Sequence, residues 1–238
     1  MLLFLTSSPH LDDGRFNPAN GFLDRLRDAL PPCPRCLFIS AAPDDWGGTE
    51  HAAWGIRHAM DLAGMQYDSF EILDRRTAGE AEWLVQNSDF IVFSGGHVPT
   101  QNSFYQDIDL FRLIYRFDGV AMGISAGSMN CAAEVYSIPE LEGEAIDPNY
   151  VRFFPGLGLT STQIIPHYNY LRDVILDGLR MFEDLAYPDS IGHEFCILMD
   201  GAYVIEDGNG RHEVYGEAYR LRDGFITPYH EASSNFYL

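Results

Sequence analysis

Val120-Ala121-Met122-Gly123-Ile124-Ser125-Ala126-Gly127-Ser128-Met129-Asn130 reads as an apolar strand that ends at a serine and turns at once into a helix. Its centre, Gly123-Ile124-Ser125-Ala126-Gly127, has the pattern Gly-x-Ser-x-Gly. In that pattern the serine occupies a strained strand-to-helix elbow at the carboxyl edge of a sheet, with its hydroxyl exposed. Gly123 and Gly127 are glycines for a steric reason, because side chains would collide across so tight a turn. The Ala126 amide, next after the serine, points to where an oxyanion would develop on an attacked carbonyl. Chance alone supplies the bare pattern in roughly one chain of this length in twelve. Its weight therefore comes from its surroundings.

Working back from the elbow, strand-like and helix-like segments alternate. Residues 1–9 read as a first buried strand, and Phe22, Leu23, Leu26 and Leu30 mark one helical face, closed by prolines 31, 32 and 34. Residues 36–41 form an all-apolar strand, a pattern suited to burial on both faces of a parallel sheet. Helices are expected over 49–64, 78–87 and 106–117, and strands over 67–73 and 89–93. This alternation predicts an α/β fold, a doubly wound, mostly parallel sheet flanked by helices. In such sheets ligands bind beyond the carboxyl ends of the strands, where Ser125 lies. Beyond the elbow, residues 134–162 read as a long acidic connection, 163–166 as a short strand leading into His167, and 170–185 as a helix. From residue 192 the pattern becomes short strands over 195–199, 202–206 and 213–220. The turns Asp207-Gly208 and Asn209-Gly210 predict β-hairpins in this C-terminal part. With no internal repeat or low-complexity tract, residues 1–238 are read as a single domain.

Lys and Arg total 15 against 35 Asp and Glu, a formal net charge of −20. That balance argues against nucleic acid or an anionic membrane as a partner, since both reward clustered cations. No run approaches the ~20 apolar residues of a membrane span. The N-terminus lacks a basic lead and meets Asp12 and Asp13 early, so it reads as a strand rather than a signal peptide, and a cytoplasmic location is expected. Cys33-Pro-Arg-Cys36 is a lone C-x-x-C with no second pair or ligand-spaced histidines, so its cysteines are read as incidental surface residues. No ligand spacing implies a metal or an organic cofactor.

A serine needs a base to take its proton, and the base needs an orienting acid. Of eight histidines, His10, His51, His58, His193, His212 and His230 fall in helices, loops or hairpins, whereas His97 and His167 directly follow strands. His167, after Ile164-Ile165-Pro166, has the better context for a base. Ser94-Gly95-Gly96-His97 also follows a buried strand, and its glycines let backbone amides approach a ligand closely. The Gly96 amide would then join Ala126 as an oxyanion donor. Acid candidates are Glu134, Glu140, Glu142, Glu144, Asp147 and Asp200, of which only Asp200 terminates an apolar strand. Spacing does not choose among them.

These stretches together resemble the dipeptidase E (aspartyl dipeptidase) and cyanophycinase family of serine peptidases, with a class I glutamine amidotransferase-like fold. Phe93-Ser94-Gly95-Gly96-His97 resembles its glycine-rich Gly-Gly-Gly-Asn loop, and Gly123-Ile124-Ser125-Ala126-Gly127 its Gly-x-Ser-Ala-Gly elbow. Ile165-Pro166-His167-Tyr168 resembles its histidine segment, and Leu198-Met199-Asp200-Gly201-Ala202 its acid-Gly turn. The resemblance implies Ser125 as nucleophile, His167 as general base and Asp200 as orienting acid, with Glu142 as the fallback acid. His97 and Arg172 would contact substrate. Asp200 stands where relatives usually carry glutamate, Ser94 and His97 depart from the glycine-rich loop, and Arg172 is a single arginine where relatives are arginine-rich.

The implied activity is hydrolysis of small peptides by a monomer or homodimer. The alternatives are a cyanophycinase-like hydrolase of β-aspartyl-arginine bonds and a non-catalytic binding protein that keeps the fold. A glutamine amidotransferase would carry a thiol where Ser125 stands.

Overall fold

Phe90-Ile91-Val92-Phe93 shows how the centre of the molecule is built. Phe90 and Val92 pack into one core cluster and Ile91 and Phe93 into another, all of them fully buried. A strand covered on both faces must be apolar at every position, which is why its sequence does not alternate. Each such side chain removed from water contributes roughly 1.5–3 kcal/mol.

The computed structural model describes residues 1–229; His230 lies outside them. Strand and helix alternate through the first half: β1 (Leu2–Thr6), α1 (Phe22–Ala29), β2 (Arg35–Ile39), α2 (Trp46–Leu62), β3 (Ser69–Leu73), α3 (Ala81–Gln86), β4 (Phe90–Phe93), α4 (Val98–Asp107), α5 (Leu110–Ile114), β5 (Val120–Ile124) and α6 (Ala126–Asn130). The second half adds β6 (Glu134–Tyr136), β7 (Phe153–Pro155), β8 (Gln163–Ile165), α7 (Tyr168–Leu171), β9 (Ile175–Leu176), β10 (Leu179–Arg180), α8 (Tyr187–Asp189), β11 (Glu194–Leu198), β12 (Tyr203–Asp207), β13 (His212–Tyr215), β14 (Ala218–Arg222) and β15 (Phe225–Pro228). The main sheet has the order β13-β12-β1-β5-β4-β2-β3. Its five strands from β1 to β3 are parallel, and β12 and β13 extend it antiparallel. Phe22 and Leu26 of α1 and Ile56 and Met60 of α2 cover one face, while α3 to α6 cover the other. The mostly parallel, doubly wound α/β sheet read from the sequence is thus the fold observed. A second sheet, β15-β14-β11-β8, packs into the same core as the α3–α6 face.

Several local expectations are corrected. The helix expected over 106–117 begins at Val98 instead, with Pro99 in its first turn, where a missing N–H costs nothing. It breaks at Asp109, which takes φ 52°, before α5 resumes. The helix expected over 170–185 is only the four-residue α7, followed by the β9–β10 hairpin and a π-helical turn over Met181–Ala186. The cause is Asp177-Gly178, whose φ values of 54° and 83° close a two-residue turn between paired Leu176 and Leu179. Asp-Gly favours that type of turn because both residues must take positive φ. The acidic connection contains the β6–β7 pair, and the strand expected over 213–220 divides at Gly216 into β13 and β14 of different sheets. Cys36 is not a surface residue: it is buried on β2, and burial, with the nearby Asp89 charge, pushes its thiol up to about 12. Cys33 is exposed, and both are free.

Candidate active site

Three strand ends meet at the carboxyl edge of the main sheet. Thr6 pairs with Ile124, and Phe93 pairs with Gly123, so Ser7, Ser125 and Ser94 leave adjacent strands β1, β5 and β4 together. At Ser125 the backbone takes φ 51° and ψ −113°, a conformation that costs a non-glycine residue about 1–3 kcal/mol. The surroundings enforce it. The Ser125 N–H donates to the carbonyls of Thr6 (3.0 Å) and Ser7 (3.1 Å), and α6 begins at the next residue. A side chain at Gly123 would come within 2.6 Å of the Ser128 backbone, and one at Gly127 would collide with the Phe93 carbonyl. Thr6 Oγ1 donates to the Gly123 carbonyl (2.7 Å) and Ser128 Oγ donates to the Thr6 carbonyl (2.8 Å), pinning the turn to β1.

The glycine-rich loop lies against this elbow. A Cβ on Gly95 would reach within 3.5 Å of Ser125 Cβ, and one on Gly96 within 2.6 Å of Ala41 Cβ. The Gly96 amide donates to no group among the described residues, nor does the Ala126 amide at the start of α6. His97 is placed differently from its expected role. Its Nδ1 pairs with Thr100 Oγ1 (2.7 Å) and its Nε2 with Glu144 Oε1 (2.9 Å), so both ring nitrogens are engaged within the protein. Glu144 Oε2 in turn accepts the Glu140 and Leu141 N–H groups, and Asp177 accepts those of Gly143 and Ala145. His97 thereby tethers the acidic connection to the glycine-rich loop.

His167 and Asp200 arrive from the second sheet. β8 and β11 are parallel neighbours with Ile165 opposite Ile197, so the residues just beyond each emerge at one edge. His167 Nδ1 meets Asp200 Oδ1 at 2.7 Å. Asn169 Nδ2 donates to Asp200 Oδ2 (3.0 Å), and Ser7 Oγ donates to Oδ1 (2.7 Å). Burial alone would raise the Asp200 carboxyl, but the bonds from His167, Ser7 and Asn169 outweigh it and hold the group at about 2. His167 has φ 57° at the start of α7, and its N–H donates to Ser7 Oγ (2.8 Å). Asp200 ends at a turn that leads into β12, the neighbour of β1, which is what carries the second sheet's edge to the first.

Of the residues expected from the sequence, Asp200 and His167 are in direct contact. Glu142 is exposed on the acidic connection and makes no bond to His167. Arg172 is half-exposed just after α7, its Nε 3.3 Å from Asp173. Ser7 and Asn169 are the residues that the sequence reading missed. For Ser7 the available signal was a small polar residue one place past a buried strand, the position Ser125 and Ser94 also occupy; Asn169, within α7, had no such signal. Among the described residues no group of three or more His, Cys, Asp or Glu is arranged to hold a metal ion, and no helix is long and apolar enough to cross a membrane.

No protein-family model matches the chain, and no curated protein matches it. Solved structures do. A peptidase from an acI-B1 Actinobacterium superposes with a TM-score of 0.68 at 20% identity, over 98% of this chain and 95% of its own. A protein provisionally assigned as peptidase E from Listeria monocytogenes EGD-e superposes with a TM-score of 0.62 at 17% identity, over 90% of this chain and 96% of its own. The chain therefore has a peptidase E-like fold, shared with these proteins over nearly its whole length.

Proposed function

We propose that this protein is a serine peptidase that hydrolyses small peptides. Ser125 Oγ attacks the peptide carbonyl while His167 takes its proton at Nε2 and returns it to the leaving amine. Asp200, ionised, accepts the Nδ1–H and so selects the tautomer whose Nε2 lone pair is free. The amides of Gly96 and Ala126 stabilise the oxyanion, and a donor of that kind is typically worth on the order of 10²–10³ in turnover. The shorter Asp200 carboxylate serves because β8 and β11 are adjacent, so no extra methylene is needed to reach His167.

The observation that carries this reading is the 2.7 Å contact between His167 Nδ1 and Asp200, joined through Ser7 to the strand end that bears a strained Ser125. The peptidases that share the fold support it, and with His97 tethered to Glu144, substrate contact falls to other groups around Ser125.

The test is labelling with a serine-directed fluorophosphonate, read beside hydrolysis of a dipeptide panel that includes α-aspartyl and β-aspartyl-arginine substrates. The expected outcome is modification of Ser125, with labelling and hydrolysis both lost in Ser125→Ala. Labelling or turnover that survives the substitution overturns the assignment.

A further inference from the structure

Ser7 belongs to none of the sequence motifs, yet it touches all three candidate residues. Its side chain is fully buried at the end of β1, beside the elbow. Its carbonyl accepts the Ser125 N–H at 3.1 Å. Its hydroxyl accepts the His167 N–H at 2.8 Å and donates to Asp200 Oδ1 at 2.7 Å. A hydroxyl has one proton and two lone pairs, so both bonds form at once. Their direction is also fixed. A backbone N–H can only donate and an ionised carboxylate can only accept, so the hydroxyl proton has a single place to point.

We propose that Ser7 is a positioning residue that sets the His167–Asp200 pair in register with Ser125. This inference rests on the peptidase reading above. Ser125 belongs to the main sheet, and His167 and Asp200 follow strands of the second. Ser7 is covalently part of β1 and hydrogen-bonded to both arms, so it transmits the position of one sheet edge to the other. The Thr6–Gly123 and Ser128–Thr6 bonds beneath it make β1 and the elbow one rigid piece. The bond to the His167 N–H also braces the positive-φ backbone from which the imidazole projects. Asn169 completes the arrangement from the opposite side of the carboxylate, leaving Asp200 little freedom to swing away from Nδ1. Without the Ser7 hydroxyl, Oδ1 keeps His167 as its only side-chain donor and the His167 N–H loses its acceptor.

The test compares Ser7→Ala, Ser7→Cys and Ser7→Thr with the parent protein. Loss of a buried hydrogen bond to a charged group predicts a fall in kcat of about 10- to 100-fold for Ala and Cys. KM should change by less than about 3-fold, because the fully buried side chain does not face substrate. The far-downfield proton resonance of His167 Nδ1–H should broaden or move in Ala and Cys, and Thr, which keeps a hydroxyl, should recover both signals. If Ser7→Ala fails to fold, Ser7→Cys, close to serine in shape but a weak donor, gives the same reading. Parent-like kcat with an unchanged Nδ1–H resonance in Ala or Cys overturns the proposal. Turnover that persists in Ser125→Ala overturns the peptidase reading instead, and the resonance still reports on Ser7 in that event.

Discussion

The two arms of the candidate site are made by opposite means. The elbow is contiguous: residues 120–130 supply the strand, the turn, the serine and the helix. A Cβ at Gly123 would strike the backbone of Ser128 within the turn, while one at Gly127 would strike the Phe93 carbonyl of β4, and the Ser125 N–H bonds Thr6 and Ser7 of β1. The other arm is assembled from parts far apart in the chain. His167 and Asp200 are 33 residues apart and meet because β8 and β11 are parallel neighbours. Ser7, which ties them to the elbow, is 160 residues from His167. One arm is written in a single stretch and braced by the neighbouring strands β1 and β4, and the other exists only where the two sheets meet.

That contrast can be broken or sharpened by substitution. The largest effect is expected for Asp200→Asn, in which the amide no longer holds the Nδ1–H tautomer. We expect kcat/KM for dipeptide hydrolysis to fall on the order of 10³–10⁴ with the fold intact. A fall of less than tenfold would mean that the long-range arm does not depend on this pair. The same carboxyl gives a pH signature. Its folded pKa lies below its ordinary 3.8, at about 2, so the stability it adds is present above about 3.8 and lost as the pH falls through about 2. Acid titrations of the parent and Asp200→Asn should therefore differ near neutrality and converge at the acid end.

Next comes Gly96→Ala. The new methyl would lie 2.6 Å from Ala41 Cβ, forcing the glycine-rich loop to shift and taking its amide away from the proposed oxyanion position. A loss of roughly 10² in kcat is expected together with a lowered thermal midpoint, since the clash with Ala41 and the φ of 155° both strain an alanine there. The local arm is probed by Gly127→Ala, where a methyl collides with the Phe93 carbonyl. Overpacking of that kind costs about 1–3 kcal/mol, measurable by urea unfolding. A neutral result there would show that the elbow is less constrained than its close contacts indicate.

The smallest effect concerns the acidic connection. Burial, and then the neighbouring Glu144 charge, raises the Glu140 carboxyl to about 7 although its side chain reaches solvent. A raised acid binds its proton more tightly in the folded state, so its ionisation lowers stability progressively from about 4.5 to about 7. Glu140→Gln should therefore raise the thermal midpoint slightly at pH 8 and leave it unchanged at pH 4, by differential scanning calorimetry.

Where sequence reading succeeded and where it failed follow the same division. The all-apolar 90–93 strand and the Gly-x-Ser-Ala-Gly elbow are legible because each is written in one contiguous stretch of residues. The helix expected over 170–185 failed because Leu171, Val174, Ile175 and Leu179 mimic helical spacing. Asp177-Gly178, a turn signal of the kind read at 207–208, overrides it. His97 carries a long-range partner that no local pattern announces: it follows a strand as expected, but its Nε2 bonds Glu144, 47 residues on. Ser7 carries no local signal beyond its place past a strand.

The sequence by itself determined the parallel α/β class, the elbow and the candidacy of His167 and Asp200. Periodicity, turn sterics and strand ends are properties of adjacent residues. The tertiary structure alone decided that Asp200 rather than Glu142 lies on His167, that His97 tethers a loop, and that Ser7 joins the two arms. Those outcomes are hydrogen bonds between residues distant in the chain, and strand order and register choose their partners.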